Sequence, residues 1–215
     1  MKQKMKYLTG FLFIFFICIL AIIPDSVKAS SNSYFSIKDG VLIAYSGSDK
    51  TVTVPSTVKE IGKRAFYNNN TVRTIILPSS ITIIGEEAFA NCYMLQKINL
   101  PSKIKKIPYH AFYQCNHLKN ITLPNTLTYI GEGSFNNCSA MTKVILPASV
   151  KFISMDAFSW CYKITKVSIP KDSKLYYIAG RAFQGCSNLT TISLPKGITT
   201  IGMQVFRYCN KLNKI

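Results

Sequence analysis

The chain has 215 residues, 48% of them hydrophobic and 16% charged, and 26 lysines and arginines against nine aspartates and glutamates give it a formal charge of +17. That hydrophobic share excludes an intrinsically disordered chain, which is poor in apolar residues and rich in charge. The length suits one domain, or slightly more, with a sizeable core.

The N-terminus stands apart from the rest. Lys2, Lys4 and Lys6 precede a nearly unbroken apolar run from Leu8 to Ile23, and Ala29 offers a small residue for cleavage. This is the order of a secretory signal peptide over residues 1–29. The run falls short of the roughly 20 residues that cross a bilayer, so an uncleaved anchor is the alternative, and no stable transmembrane segment is expected after cleavage. Ile17 is too large to precede a lipid-bearing cysteine at Cys18. Without residues 1–29 the chain keeps 22 basic and 8 acidic residues, so the positive excess belongs to the exported part.

From Val54 onward the chain repeats. Pro55, Pro78, Pro101, Pro124 and Pro147 recur every 23 residues and continue through Pro170 to Pro195, which lies 25 further on. Phe66, Phe89, Phe112, Phe135, Phe158, Phe183 and Phe206 keep the same step, as do Cys92, Cys115, Cys138, Cys161, Cys186 and Cys209. One two-residue insertion within 171–174 explains the longer step. The unit is L-x-x-I-x-L-P-x-x-I-x-x-I-G-x-x-A-F-x-x-C-x-x, seen whole in Leu95 to His117.

Each position has a local reason. Ile98 and Leu100 alternate with Lys97 and Asn99, the pattern of a short strand with one face inward, and Pro101 ends its ladder. Gly85, Gly131 and Gly202 follow an inward isoleucine at turns expected to use positive φ. The Ala-Phe-x-x-Cys segment can make about one turn of helix, or else an irregular arc, with Phe and Cys inward. No 23-residue unit can bury so many apolar groups alone, so the units must stack. Stacking predicts a cysteine ladder at steps of roughly 4.8 Å, with side chains pointing in parallel into a packed core, a geometry that disfavours disulfides. Asn69 stands at the cysteine position of the first unit.

On these residues the chain resembles the BspA-type leucine-rich repeat of bacterial and protist surface proteins, over residues 55–215. The resemblance implies an α/β, β-rich, right-handed leucine-rich-repeat solenoid of about seven repeats. Residues 35–54 are similar to the hairpin that opens such arrays, with Asp39-Gly40 and Ser46 to Asp49 as turn signals, so 30–54 is expected to cap the stack. The array breaks off at Ile215 without a polar capping unit, which suggests a fragment, a truncated gene product or an edge that pairs with another copy. Departures from the repeat, such as Pro108 and Ser154 in the glycine column, are expected to adjust only local turns.

Chemistry is sparse. His110 and His117 are expected to be exposed rather than a metal pair. Glu86, Glu87, Glu132 and Asp156 fall at the start of the expected helical turn, where the helix dipole favours acids. No paired carboxylates, Cys-x-x-Cys, phosphate loop or nucleophile elbow occurs in a fitting context, so neither enzyme activity, nor a metal, nor a cofactor is expected.

The outward strand positions carry more information. Stacked, they form a column of Thr74, Lys97, Asn120, Lys143, Lys166, Thr191 and Lys214, beside a second containing Ile76, Asn99, Thr122 and Ile145. Seven strands would make a face about 29 Å long. The candidate ligand-binding residues on this concave strand face are Arg73, Ile76, Lys97, Lys119, Lys143, Ile145, Lys166 and Lys214. A merely solvated face is the alternative. The family resemblance implies a secreted or cell-surface recognition module that adheres to host matrix or other cells, with a surface protein as partner, and the positive charge favours encounter with an acidic glycan or other polyanion; a non-binding spacer in a longer surface protein is the other possibility. Nucleic acid is not expected, because export removes the chain from it and no aromatic platform interleaves with the lysines.

Overall fold

The computed structural model describes residues 32–215; the predicted signal peptide lies outside them. Most turns of the coil lay down two short strands, and except at one break in each face stacking pairs a strand in parallel with its equivalent in the next turn. Along the first face run β3 (Thr51–Thr53), β5 (Thr74–Ile76) and β7 (Lys97–Ile98), then β10 (Lys143–Ile145), β12 (Lys166–Ser168) and β14 (Thr191–Ile192). The second face carries β4 (Glu60–Ile61) and β6 (Ile83–Ile84), followed by β8 (Lys106–Ile107), β9 (Tyr129–Ile130), β11 (Phe152–Ile153), β13 (Tyr177–Ile178) and β15 (Thr200–Ile201). The expected fold is a solenoid of one strand and an arc per unit; the observed turn has two strands.

Alternation does the burying. Ile75, Ile98, Val144, Val167 and Ile192 point inward from the first face, and Ile61, Ile84, Ile107, Ile130, Ile153 and Ile178 from the second. The two-residue insertion is absorbed in the loop after Pro170, where the Lys174 N–H reaches the Ala148 carbonyl at 2.8 Å. Register resumes with Tyr177 beside Phe152.

On the third side of the coil the arc is the irregular one of the two expected forms, not the helical one. Apart from a 3-10 turn at Asn32–Tyr34, the described residues contain no helix. Two residues before and two after the phenylalanine of each repeat, the backbone takes positive φ, as at Glu87 (54°) and Asn91 (58°) around Phe89. This left-handed geometry ends any helix after a single turn. Alternate N–H groups then point along the stack: those of Arg64, Phe66 and Asn68 reach the carbonyls of Glu86, Ala88 and Ala90 in the next turn. The arc is thus a run of tight turns hydrogen-bonded to its neighbours.

With no helix, the acids have another role. Glu86, Glu87 and Asp156 pair along the stack with Lys63 (3.0 Å), Arg64 (2.6 Å) and Arg181 (2.8 Å). The Arg64 guanidinium, through its hydrogen bond, holds the Glu87 carboxyl below its ordinary range. The glycine column also differs from expectation: Gly85 and Gly131 do not adopt positive φ. A Cβ on Gly85 would lie 2.5 Å from the Lys63 nitrogen, and one on Gly131 would lie 2.6 Å from the Ile107 carbonyl oxygen. Close approach of successive turns, rather than backbone handedness, demands the glycine there.

Two ladders run through the core. Successive phenylalanine rings from Phe66 to Phe183 stack with centroids 5.1–5.4 Å apart. Beside them the six cysteines of the repeats are buried free thiols, each donating to the carbonyl of the phenylalanine one turn earlier, as Cys115 does to Phe89 at 3.2 Å. Burial pushes the Cys92 thiol up to about 12 and raises those of the other five. Asn69 fills the same place in the first turn, its amide nitrogen donating to the Gly47 carbonyl at 3.0 Å.

A hairpin of β1 (Phe35–Lys38) and β2 (Val41–Tyr45) precedes the array and turns at Asp39 and Gly40, both at positive φ. Strand β2 pairs in parallel with β4. The Tyr45 ring packs tilted at 5.2 Å from Phe66, and Phe35 packs tilted at 5.0 Å from Tyr45, so the aromatic column continues over the first turn and covers it.

Candidate functional site: the first strand face

The outward columns form as their spacing requires, but in two pieces. Thr51, Thr74 and Lys97 lie in register on one ladder. Lys143, Lys166, Thr191 and Lys214 lie in register on the other. Between them residues 119–123 form no strand, and the continuous seven-strand face expected from the repeat is interrupted at Asn120. Asparagine is a poor strand former, and its side chain here accepts from the Thr142 hydroxyl at 3.2 Å. One turn earlier, the Asn99 side chain takes over a main-chain role, accepting from the Leu77 N–H at 2.8 Å and donating to the Leu77 carbonyl at 2.9 Å.

The interruption leaves hollows on both sides. A cleft of about 540 Å³ lies between Asn120 to Leu123 on one wall and Lys143, Ile145 and Pro147 on the other. A shallower hollow of about 340 Å³ is lined by Thr74, Ile76, Lys97, Asn99 and Thr122. Four of the predicted residues therefore gather here: Ile76 with Lys97, and Ile145 with Lys143. Ile145 is 57% exposed. Lys166 stands beside Lys143 across the ladder, Lys214 beside Thr191, and Arg73 and Lys119 are exposed one residue before the lysine column.

Electrostatics give the face its sign. Its columns hold no acid, whereas Glu86, Glu87 and Asp156 are paired on the turn arc and Asp49 accepts from the Tyr45 hydroxyl at 2.9 Å. The cleft residues Asn120, Thr122, Leu123 and Pro147 were not among the predicted ones. Their only signal in the sequence is an asparagine in a column otherwise made of lysine and threonine.

His117 is exposed, as predicted. His110 is half-buried instead, stacked between Tyr109 at 3.8 Å and Tyr113 at 4.6 Å, and burial lowers its pKa. Among the described residues no three His, Cys, Asp or Glu side chains cluster as metal ligands would, and no helix is long and apolar enough to cross a membrane.

Comparison with known proteins fixes the family. The BspA type leucine rich repeat region matches in six copies, over residues 42–165 and 151–215. The chain belongs to this family. A leucine rich repeat protein from T. pallidum is 32% identical and superposes with a TM-score of 0.80, over 86% of this chain and 91% of that one. A leucine rich cell surface protein from Faecalibacterium prausnitzii is 29% identical with a TM-score of 0.75, over 88% of this BspA-type chain and 54% of its own length. The present chain therefore spans about half of that protein. A leucine-rich repeat protein from Eubacterium ventriosum, 24% identical with a TM-score of 0.63, shares the fold. No curated protein matches.

Proposed function

We infer that this BspA-type protein is a secreted or surface-displayed recognition module whose first strand face binds an acidic glycan or an acidic patch on a surface protein. The observation that carries this is the pairing of Lys143 with Lys166 above an open cleft that also exposes Ile145. Like charges opposed across a ladder are unfavourable, and no acid in the columns relieves them, so an anionic partner gains more here than from evenly scattered lysines. Ile145 and Ile76 add apolar contact at the centre. Display outside the cell is supported by the signal-like residues 1–29 and by the surface location named for the F. prausnitzii relative.

The test is binding of the purified protein to immobilised heparin and to matrix glycoproteins across a salt series, with the K143E/K166E double variant beside it. Screened charge contacts weaken as the Debye length shrinks, so heparin binding should fall with salt. Binding to a glycoprotein through Ile145 as well should persist at physiological ionic strength. The double variant should lose at least tenfold in affinity with its melting temperature unchanged, since both side chains are solvated. Equal binding by the variant would overturn the assignment; no binding to any surface would favour a spacer.

A further inference from the structure

The second face has an interruption of its own, at a different place. In the glycine column, Gly62, Gly85, Gly131, Ser154, Ala179 and Gly202 each donate their N–H to the carbonyl of the preceding turn, at 2.7–2.9 Å. Pro108 occupies this column in the third turn and has no N–H to give. The carbonyl it would have met belongs to Ile84. Strands β6 and β8 are accordingly unpaired, and the second sheet splits there into two.

The split opens a cleft of about 880 Å³, within the roughly 300–1,000 Å³ of small-molecule sites. Ile83, Ile84 and Pro108 supply apolar wall, and Ile83 is 51% exposed. Lys103, Lys105 and Lys106 stand around it. The lining contains no acid; Glu60, next to Ile83 in the ladder, lies outside it. A largely apolar cleft that reaches from Thr82 to Thr126 across three turns, with three lysines and the hydroxyls of Thr82, Ser102 and Thr126 in its lining, matches a molecule with one hydrocarbon body and one anionic end.

We propose that the cleft between β6 and β8 binds a single anionic amphiphile, an acyl-chain carboxylate, with the chain against Ile83, Ile84 and Pro108 and the carboxylate among Lys103, Lys105 and Lys106. This site is separate from the first strand face and does not depend on what that face binds. It exists because Pro108 withholds one hydrogen bond. A glycine at 108 would restore the donor that six other turns use and draw β8 onto β6.

The experiment is calorimetric titration of the purified protein with dodecanoate below its micellar concentration, with dodecanol and dodecyltrimethylammonium as neutral and cationic controls. Saturable one-to-one binding of dodecanoate is expected, at least tenfold tighter than either control. K105E/K106E should weaken it at least tenfold, and Pro108→Gly should abolish it while the melting temperature holds or rises. K143E/K166E on the other face should bind as the parent does. No saturable binding, equal binding of the controls, or full binding by Pro108→Gly with a parental melting temperature would each overturn the proposal.

Discussion

Replacing Phe112 with alanine tests whether the aromatic ladder carries the stack. Phe112 is completely buried, with its ring 5.1 Å from Phe89 and 5.2 Å from Phe135. Its N–H donates to Ser134 and its carbonyl accepts from Cys138; alanine keeps both bonds, so the loss is confined to the side chain. Truncating a buried phenylalanine costs about 3–5 kcal/mol, and two ring contacts, each worth about 0.5–1.5 kcal/mol beyond area, place this site at the upper end. For a chain of this size the melting temperature should fall by about 8–20 °C. Phe206 is the control: it has one ring partner, Phe183 at 6.0 Å, and is only partly buried, so Phe206→Ala should cost about 1–2 kcal/mol. Guanidinium unfolding followed by circular dichroism gives both values. If Phe112→Ala falls within 1 kcal/mol of Phe206→Ala, side-chain stacking is not what holds the turns together.

The buried thiols predict an alkaline limit. Their folded pKa values lie above the ordinary thiol value of 9.0, so the stability from keeping them neutral is complete below about pH 9 and drains away as pH rises toward 12; a pH series of melting temperatures should show this decline, shallower in Cys92→Ala, and a flat profile would count against it. In native protein Cys209, the least buried of the six at 8% exposure, should react with a thiol reagent before the others. Asn99→Ala removes both bonds to Leu77 and should cost about 1–3 kcal/mol, measured by denaturant unfolding; a neutral result would mean that main-chain pairing re-forms in its place. Gly85→Ala should cost about 1–3 kcal/mol because its Cβ meets backbone, whereas at Gly197, where the nearest atom is 3.9 Å away, alanine should be within about 0.5 kcal/mol of neutral.

The repeat made the core legible. Once Phe66 and its successors fall at a constant step, stacking follows from the inability of a 23-residue unit to bury its own apolar groups, and the phenylalanine and cysteine ladders follow from stacking. The arc was not legible in the same way. Alanine, phenylalanine and cysteine at that spacing suit one helical turn or a series of tight turns equally well, and what decides is whether Phe66 gives its N–H to its own turn or to Ala88 in the next. The glycine column looked special for the wrong reason, because a sequence does not show that Gly85 lies against the Lys63 backbone. Pro108 was visible as a departure, yet its consequence depends on the direction of the N–H in that column. Asn120 looked like one more polar strand residue; that its turn would leave the ladder follows from side-chain bonds at Asn99 and Thr142 that no single-position preference encodes.

Charge and backbone together explain why the two candidate sites lie where they do. A solenoid turns a preference at one repeat position into a row, so acids placed on the arc meet the basic residues of the adjacent turn, while the strand columns keep their lysines unpaired. The stack is ordered before any partner arrives, and contacts along it add without the entropy cost of ordering a loop. A perfectly regular stack, however, satisfies its main chain everywhere and offers only a flat surface. Depth comes from irregularity: an asparagine pair opens the first face near Ile145, and a proline opens the second near Ile83. The third turn, Leu95 to Gln114, lies between the hollow beside Ile76 on the first face and the cleft of the second, with its first strand bordering one and its second strand bordering the other. Pocket formation in this fold is thus a matter of which turn withholds a hydrogen bond, and selectivity follows from the side chains that surround the gap.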